Sequence, residues 1–82
     1  MLAAGRDVAE LGGAFGETAA LLAETARSVV TVEVDPERVA VARERLTGIA
    51  NVELLEGDAY EQLRGRGPFG LVFADGGRPY HW

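Results

Sequence analysis

The sequence predicts an α/β fold, a parallel sheet of four strands in the spatial order 3-2-1-4 with helices in the crossovers. Three observations carry that expectation. Short apolar or β-branched segments alternate with stretches of helical periodicity, the pattern of repeated strand–helix–strand units. The second segment reads Ser28-Val29-Val30-Thr31-Val32-Glu33, and so continuous a β-branched run suits a strand buried on both faces of a parallel sheet. Each strand segment also runs into a turn that holds glycine or aspartate. Right-handed crossovers then set the strand order, and the two longer helices are expected on opposite faces of the sheet or displaced by assembly.

The first strand is Asp7 to Leu11, which leads into the glycine cluster Gly12, Gly13 and Gly16. A helix is predicted over Phe15 to Arg27, because Phe15, Ala19, Leu22 and Ala26 recur at helical spacing and can share one buried face. After the second strand, Asp35 can cap a second helix, Pro36 suits its first turn, Glu37 complements its dipole and Gly48 can end it. Val39, Ala42 and Leu46 supply its inner stripe. Asn51 to Glu56 is a third strand, Ala59 to Arg64 makes one or two helical turns, and Gly65 to Pro68 breaks the chain again. Leu71 to Ala74 is the fourth strand, ending at Asp75-Gly76-Gly77. No internal boundary divides residues 1–82, which read as one domain.

Composition narrows the classes of function. With 48% hydrophobic and 26% charged residues the chain is that of a folded protein rather than a disordered tail. A net charge of -5 argues against nucleic acid as a partner, since phosphate backbones are held by clustered Lys and Arg. No apolar run reaches the length of a membrane span, and the N-terminus lacks the regions of a signal peptide, so no membrane partner is expected and the cytoplasm is the default location. Cysteine is absent and the one histidine is His81, which leaves no disulfide or metal staple for a core that is marginal at this size.

Nearly all the informative polar residues fall in four turns: Glu10 to Gly16, Glu33 to Asp35, Gly57-Asp58 and Asp75-Gly76. These follow the C-terminal ends of the predicted strands, the edge at which open parallel sheets bind ligands. Three glycines between a strand and a helix let the backbone approach a nucleotide-like ligand under a helix N-terminus; the alternative is a tight turn that binds nothing. The dinucleotide pattern Gly-x-Gly-x-x-Gly fails from Gly12, where Ala14 and Glu17 stand in place of its later glycines. Glu33 follows the first glycine by 21 residues, near the spacing of about 20 at which an acidic side chain can take ribose hydroxyls. A carboxylate suits a cis-diol because it accepts two hydrogen bonds, and at the strand end its replacement by alanine is expected to cost little packing and leave the fold intact; the alternative is a solvated strand-end charge. Asp35, just before Pro36, is better explained as the helix cap.

Glu10-Leu11-Gly12-Gly13-Ala14-Phe15-Gly16 resembles the first motif of class I S-adenosylmethionine-dependent methyltransferases, enzymes with a Rossmann-like fold. Val32 to Glu37 is similar to their second motif, Glu56-Gly57-Asp58-Ala59 to their third, and Phe69 to Gly77 to their fourth strand and its end, as in the small-molecule O-methyltransferases. The matches come in the family's order and cover residues 7 to 77. The resemblance implies S-adenosylmethionine or S-adenosylhomocysteine as ligand. Gly12, Gly13, Ala14 and Gly16 would line its methionine and ribose parts, with Glu10 near the amino group. Glu33 would hold the ribose hydroxyls, Asp58 would accept from the adenine amino group, and Ala59 would offer its backbone N–H to the ring. Glu10 as a strand-end charge holding the turn, and Gly57-Asp58 as a plain turn, are the alternatives.

Asp75 falls where the resembling enzymes carry an acidic residue beside the transferred methyl or a metal. One carboxylate cannot make a metal site, so no metal is assigned and the catalytic residues are left open; a turn-forming Asp-Gly is the other reading. At Gly70 the chain departs from the family, which commonly has an acidic residue there, and a glycine is expected to loosen the start of the fourth strand.

The family's fold continues past the fourth strand, so the 82 residues are expected to be its cofactor-binding N-terminal half, truncated after the fourth strand and not active alone. The parent activity implied is methyl transfer to a small-molecule acceptor. Leu71 to Ala74 would then form an uncharged apolar edge, and a homodimer or a strand-exchanged oligomer would cover it. The rival reading is a non-catalytic Rossmann-like nucleotide-binding or structural module that assembles with a partner; a minimal NAD-binding unit is a third.

Overall fold

The computed structural model describes residues 3–74. The elements run β1 (Asp7–Leu11), α1 (Glu17–Ala23), β2 (Ser28–Glu33), α2 (Pro36–Arg45), β3 (Val52–Glu56), α3 (Ala59–Leu63) and β4 (Leu71–Ala74). All three strand pairings are parallel and the order is β3-β2-β1-β4, as the sequence predicts. Asp7 pairs with Ser28 and Leu11 with Val32, so β1 and β2 end level, and Glu33 pairs with Glu56 at the end of β3. The first three turns therefore emerge at one edge of the sheet.

The two longer helices share a face rather than lying on opposite ones. Ala19 and Leu22 of α1 and Ala42 of α2, with Leu46 just beyond it, enter one cluster with Val8 and Val29. The steps from β1 to β2 and from β2 to β3 move in the same direction across the sheet, and two right-handed crossovers in one direction put both helices on one side. The chain returns from β3 to β4 in the opposite direction, which carries α3 to the other face. There Leu63 joins Ala9, Leu11, Val30 and Val32.

Helix α1 is shorter than its periodicity suggests. Gly16, at φ 87°, is its N-cap in a left-handed conformation that ends any helical continuation from Phe15. Ala19, Leu22 and Ala26 are buried as expected, but Phe15 lies in the turn with 44% exposure. Its ring lies under the Arg38 guanidinium, 5.8 Å from the centroid, and its carbonyl accepts from Arg45 Nη1 at 2.8 Å. At the other end Asn51 Nδ2 donates to the carbonyls of Ala23 and Ala26 at 2.9 and 3.1 Å, and Arg27 N donates to Arg6 O at 2.8 Å. The chain is thus drawn off the helix axis before Arg27.

The other boundaries differ by a residue or so. Asp35 caps α2, accepting from Glu37 N at 2.9 Å, and Pro36 opens it. Leu46 is its C-cap, and Gly48 at φ 85° turns the chain away. Gly70 does not loosen β4: its N–H donates to Asp7 O at 2.8 Å and its carbonyl accepts from Arg6 Nη1 at 3.2 Å. A Cβ at position 70 would lie 3.1 Å from Arg6 Cβ, so the glycine lets the two backbones approach.

Candidate functional site

The site is assembled at the C-terminal ends of β1, β2 and β3. The N–H groups of Gly12 and Gly13 both donate to the carbonyl of Val32, at 2.8 and 2.9 Å. This hangs the glycine turn on the end of β2. Ala14 follows at φ 49°, a conformation uncommon for a residue with a side chain, and its N–H points to Glu33.

Glu33 is 4% exposed, not a solvated charge. Its Oε1 accepts from Ala14 N at 2.6 Å, and its Oε2 accepts from Val34 N at 3.1 Å and Asp35 N at 2.9 Å. Its main-chain carbonyl accepts from Gly57 N at 2.9 Å. One residue therefore ties the turns after β1, β2 and β3 together, and the expectation that its loss costs little packing does not hold.

Between those turns lies a cavity of about 220 Å³, lined by Gly12, Val32, Val34, Gly57, Asp58, Ala59 and Tyr60. Asp58 Oδ2 accepts from Glu61 N at 3.0 Å and so caps α3. The loop geometry of a Gly-Asp turn and a place on the cavity wall coexist in this residue. Gly57 has φ 138°. A second depression, about 230 Å³, lies against Gly13, Ala14, Phe15, Glu17 and Thr18.

The three glycines of the first turn serve different ends. Gly12 lines the first cavity and Gly13 the second. Gly16 is buried against α2, where a Cβ would lie 3.1 Å from Ala42 Cβ. Its smallness serves helix packing. Glu10 is completely buried, and its Oε1 accepts from the Thr31 hydroxyl at 2.7 Å. Asp75 lies outside the described residues.

In the sequence Thr31 reads as one more β-branched strand residue. The available signal was a polar residue two positions before Glu33 in an otherwise apolar run, hence on the same face of β2 as Glu33. The arginine pair of α2 that fixes Phe15 carried no comparable signal.

A family model described as a methyltransferase domain matches residues 8–82, almost the whole chain. The chain belongs to that family. It is 40% identical over 67 residues to a protein-L-isoaspartate O-methyltransferase of Picosynechococcus sp., a match covering 79% of this chain and 30% of that protein. To a probable ribosomal RNA small subunit methyltransferase A of Methanosarcina mazei it is 38% identical over 52 residues, 63% of this chain and 19% of the relative. The chain thus spans less than a third of the length of these curated relatives.

Among solved structures it is similar to a protein-L-isoaspartate O-methyltransferase, with TM-score 0.80 and 29% identity over 89% of this chain and 25% of that one. It is also similar to a phosphoethanolamine N-methyltransferase of Haemonchus contortus in complex with phosphoethanolamine and S-adenosylhomocysteine. There the TM-score is 0.67 and the identity 29%, over 72% of this chain and 13% of that one. Membership of this methyltransferase domain family agrees with the resemblance drawn from the four motifs.

Proposed function

We propose that residues 1–82 form the S-adenosylmethionine-binding part of a methyltransferase. The observation that carries this reading is the buried carboxylate of Glu33, set at the end of β2 between the glycine turn and the Gly57-Asp58 turn. The donor set suits the ligand: a carboxylate for a cis-diol, a turn whose backbone lines two depressions, and an apolar-walled cavity that would accept a purine ring. Glu33 would hold the ribose hydroxyls and Asp58 and Ala59 the adenine. Gly12, Gly13 and Ala14 would line the sugar and methionine parts, with Glu10 toward the amino group. When bound, the cofactor supplies an electrophilic methyl group on a sulfonium. The chain's own contribution is to hold that molecule in one orientation, from which most of the rate of such a transfer derives.

The experiment is calorimetric titration of the 82-residue chain with S-adenosylhomocysteine, NAD and adenosine. Binding of S-adenosylhomocysteine well above both others supports the reading; equal or tighter binding of NAD overturns it, and binding of none favours a non-catalytic structural module. Asp75 is retained as a candidate contact on the motif alone. The acceptor we propose is a small molecule. The relatives named above act on RNA, protein or phosphoethanolamine according to their names, and a net charge of -5 disfavours an RNA acceptor held by this part of the chain. Transfer of a labelled methyl group from S-adenosylmethionine, compared across the three acceptor classes, tests this.

Self-association through β4 belongs to the same proposal. Among the described residues β4 is an edge of the sheet, with Val72 and Phe73 36% and 38% exposed and no charged residue in the strand. Such an edge invites pairing. Sedimentation across a dilution series is expected to show a concentration-dependent dimer, and a monomer throughout would overturn it.

A further inference from the structure

Glu10 and Thr31 occupy paired positions in the register of β1 and β2, in a row that continues to Leu54 of β3 and Phe73 of β4. Both are completely buried, and the Thr31 hydroxyl donates to Glu10 Oε1 at 2.7 Å. Packing does not explain the pair. A carboxylate removed from water is costly to keep ionised, and well-packed apolar side chains in the same place cost less. Beside it, a Cβ on Gly13 would run into Thr31 Oγ1 and come within 3.3 Å of Glu10 Oε1. The hydroxyl, the carboxylate and the turn backbone thus pack directly on one another, one residue from the edge where the turn lines the site.

We infer that Thr31 is a positioning residue: its hydroxyl fixes the Glu10 carboxylate against the Gly13 backbone and so sets the end of the site that receives a cationic amino group. This rests on the cofactor reading above and deepens it. A β-branched side chain on a buried strand has restricted χ1, so the hydroxyl is a fixed donor. That donor holds Oε1 of Glu10 in one orientation beneath the Gly13 backbone. The requirement for glycine at position 13 follows from the same contact, because the turn lies in the space that a side chain there would fill.

The test is titration of the 82-residue chain with S-adenosylhomocysteine and with 5′-methylthioadenosine, which keeps the adenosine and the sulfur but lacks the amino-acid portion. Thr31→Val is expected to weaken S-adenosylhomocysteine roughly tenfold, the effect of one hydrogen bond to a charged group, and to leave 5′-methylthioadenosine unchanged. Thr31→Ser, which keeps the hydroxyl, is expected to restore the affinity. In a Glu10→Gln background the effect of Thr31→Val should shrink, since the two act as a unit. If circular dichroism shows Thr31→Val unfolded, Thr31→Ala removes the same hydroxyl with less crowding and is read in the same way. Equal weakening of both ligands, no weakening of either, or no recovery with serine would overturn the inference while leaving the cofactor reading intact. Failure of the unsubstituted chain to bind S-adenosylhomocysteine would overturn both.

Discussion

Oε1 of Glu33 accepts the backbone N–H of Ala14 at 2.6 Å, across 19 residues of sequence. With Val34 and Asp35 donating to Oε2, the carboxylate is both the proposed ribose ligand and the clasp of the glycine turn. Glu33→Ala is therefore expected to lower S-adenosylhomocysteine affinity by about 1.5–3 kcal/mol and to lower the stability of the chain by about 1–3 kcal/mol. Titration and urea unfolding measure the two. Lost stability with unchanged affinity would remove the ribose assignment and leave only the clasp.

The Gly13 contact with Thr31 makes a second prediction. Gly13→Ala alone would force a Cβ into the Thr31 hydroxyl, and overpacking of that kind costs about 1–3 kcal/mol. Thr31→Ala removes the hydroxyl, so the double substitution is expected to cost less than the sum of the single ones. Strict additivity in urea unfolding would mean that the turn moves away from β2 rather than pressing on it.

Asn51 is expected to be worth more than its place in a connecting turn suggests. Its side-chain amide donates to the carbonyls of Ala23 and Ala26, and its own carbonyl accepts from Val29 N at 2.8 Å. Asn51→Ala leaves the two carbonyls without this donor, a loss of about 1–2 kcal/mol. Asn51→Asp, which cannot donate, should be no better, and urea midpoints compare them.

At the opposite edge of the sheet, Arg27 Nε donates to Asp7 Oδ1 at 2.9 Å, Nη2 pairs with Oδ2, and the Ser28 hydroxyl donates to Oδ1 at 2.7 Å. The Arg27 and Ser28 hydrogen bonds hold the Asp7 carboxyl at a pKa of about 2 against an ordinary 3.8. A lowered folded-state value means stability that is present above pH 3.8 and is lost as pH falls toward 2. Asp7→Asn is expected to flatten that part of the stability profile and to leave it unchanged near neutrality relative to its own plateau. Acid titration followed by circular dichroism distinguishes the two profiles; the same slope in both would assign the acid loss to other carboxylates.

The sheet was legible because each strand carries its own local signal: β-branched residues within, and a glycine or aspartate at its end. The Phe15 end of α1 was not, because spacing alone cannot tell a helical residue from one in the preceding turn. That boundary depends on Gly16 in a left-handed conformation pressed against Ala42, a contact between residues 26 positions apart. The side on which α2 lies is likewise a property of two crossovers taken together. At the site, Glu33 was visible from its distance to Gly12, but its three backbone donors arise only when the turn folds back on β2. Thr31 was hidden by its own composition, since threonine is as ordinary in a strand as valine.

The single carbonyl of Val32 that receives both Gly12 and Gly13 has a consequence for how the site keeps time. β2 is an interior strand, so the two glycine amides can exchange their hydrogens with deuterated water only when that strand lets go. Their exchange should follow the slow opening of the sheet and not the rapid breathing usual for a surface loop. An occupant of the turn would then be registered as slower exchange along β2 itself, well beyond the atoms it touches.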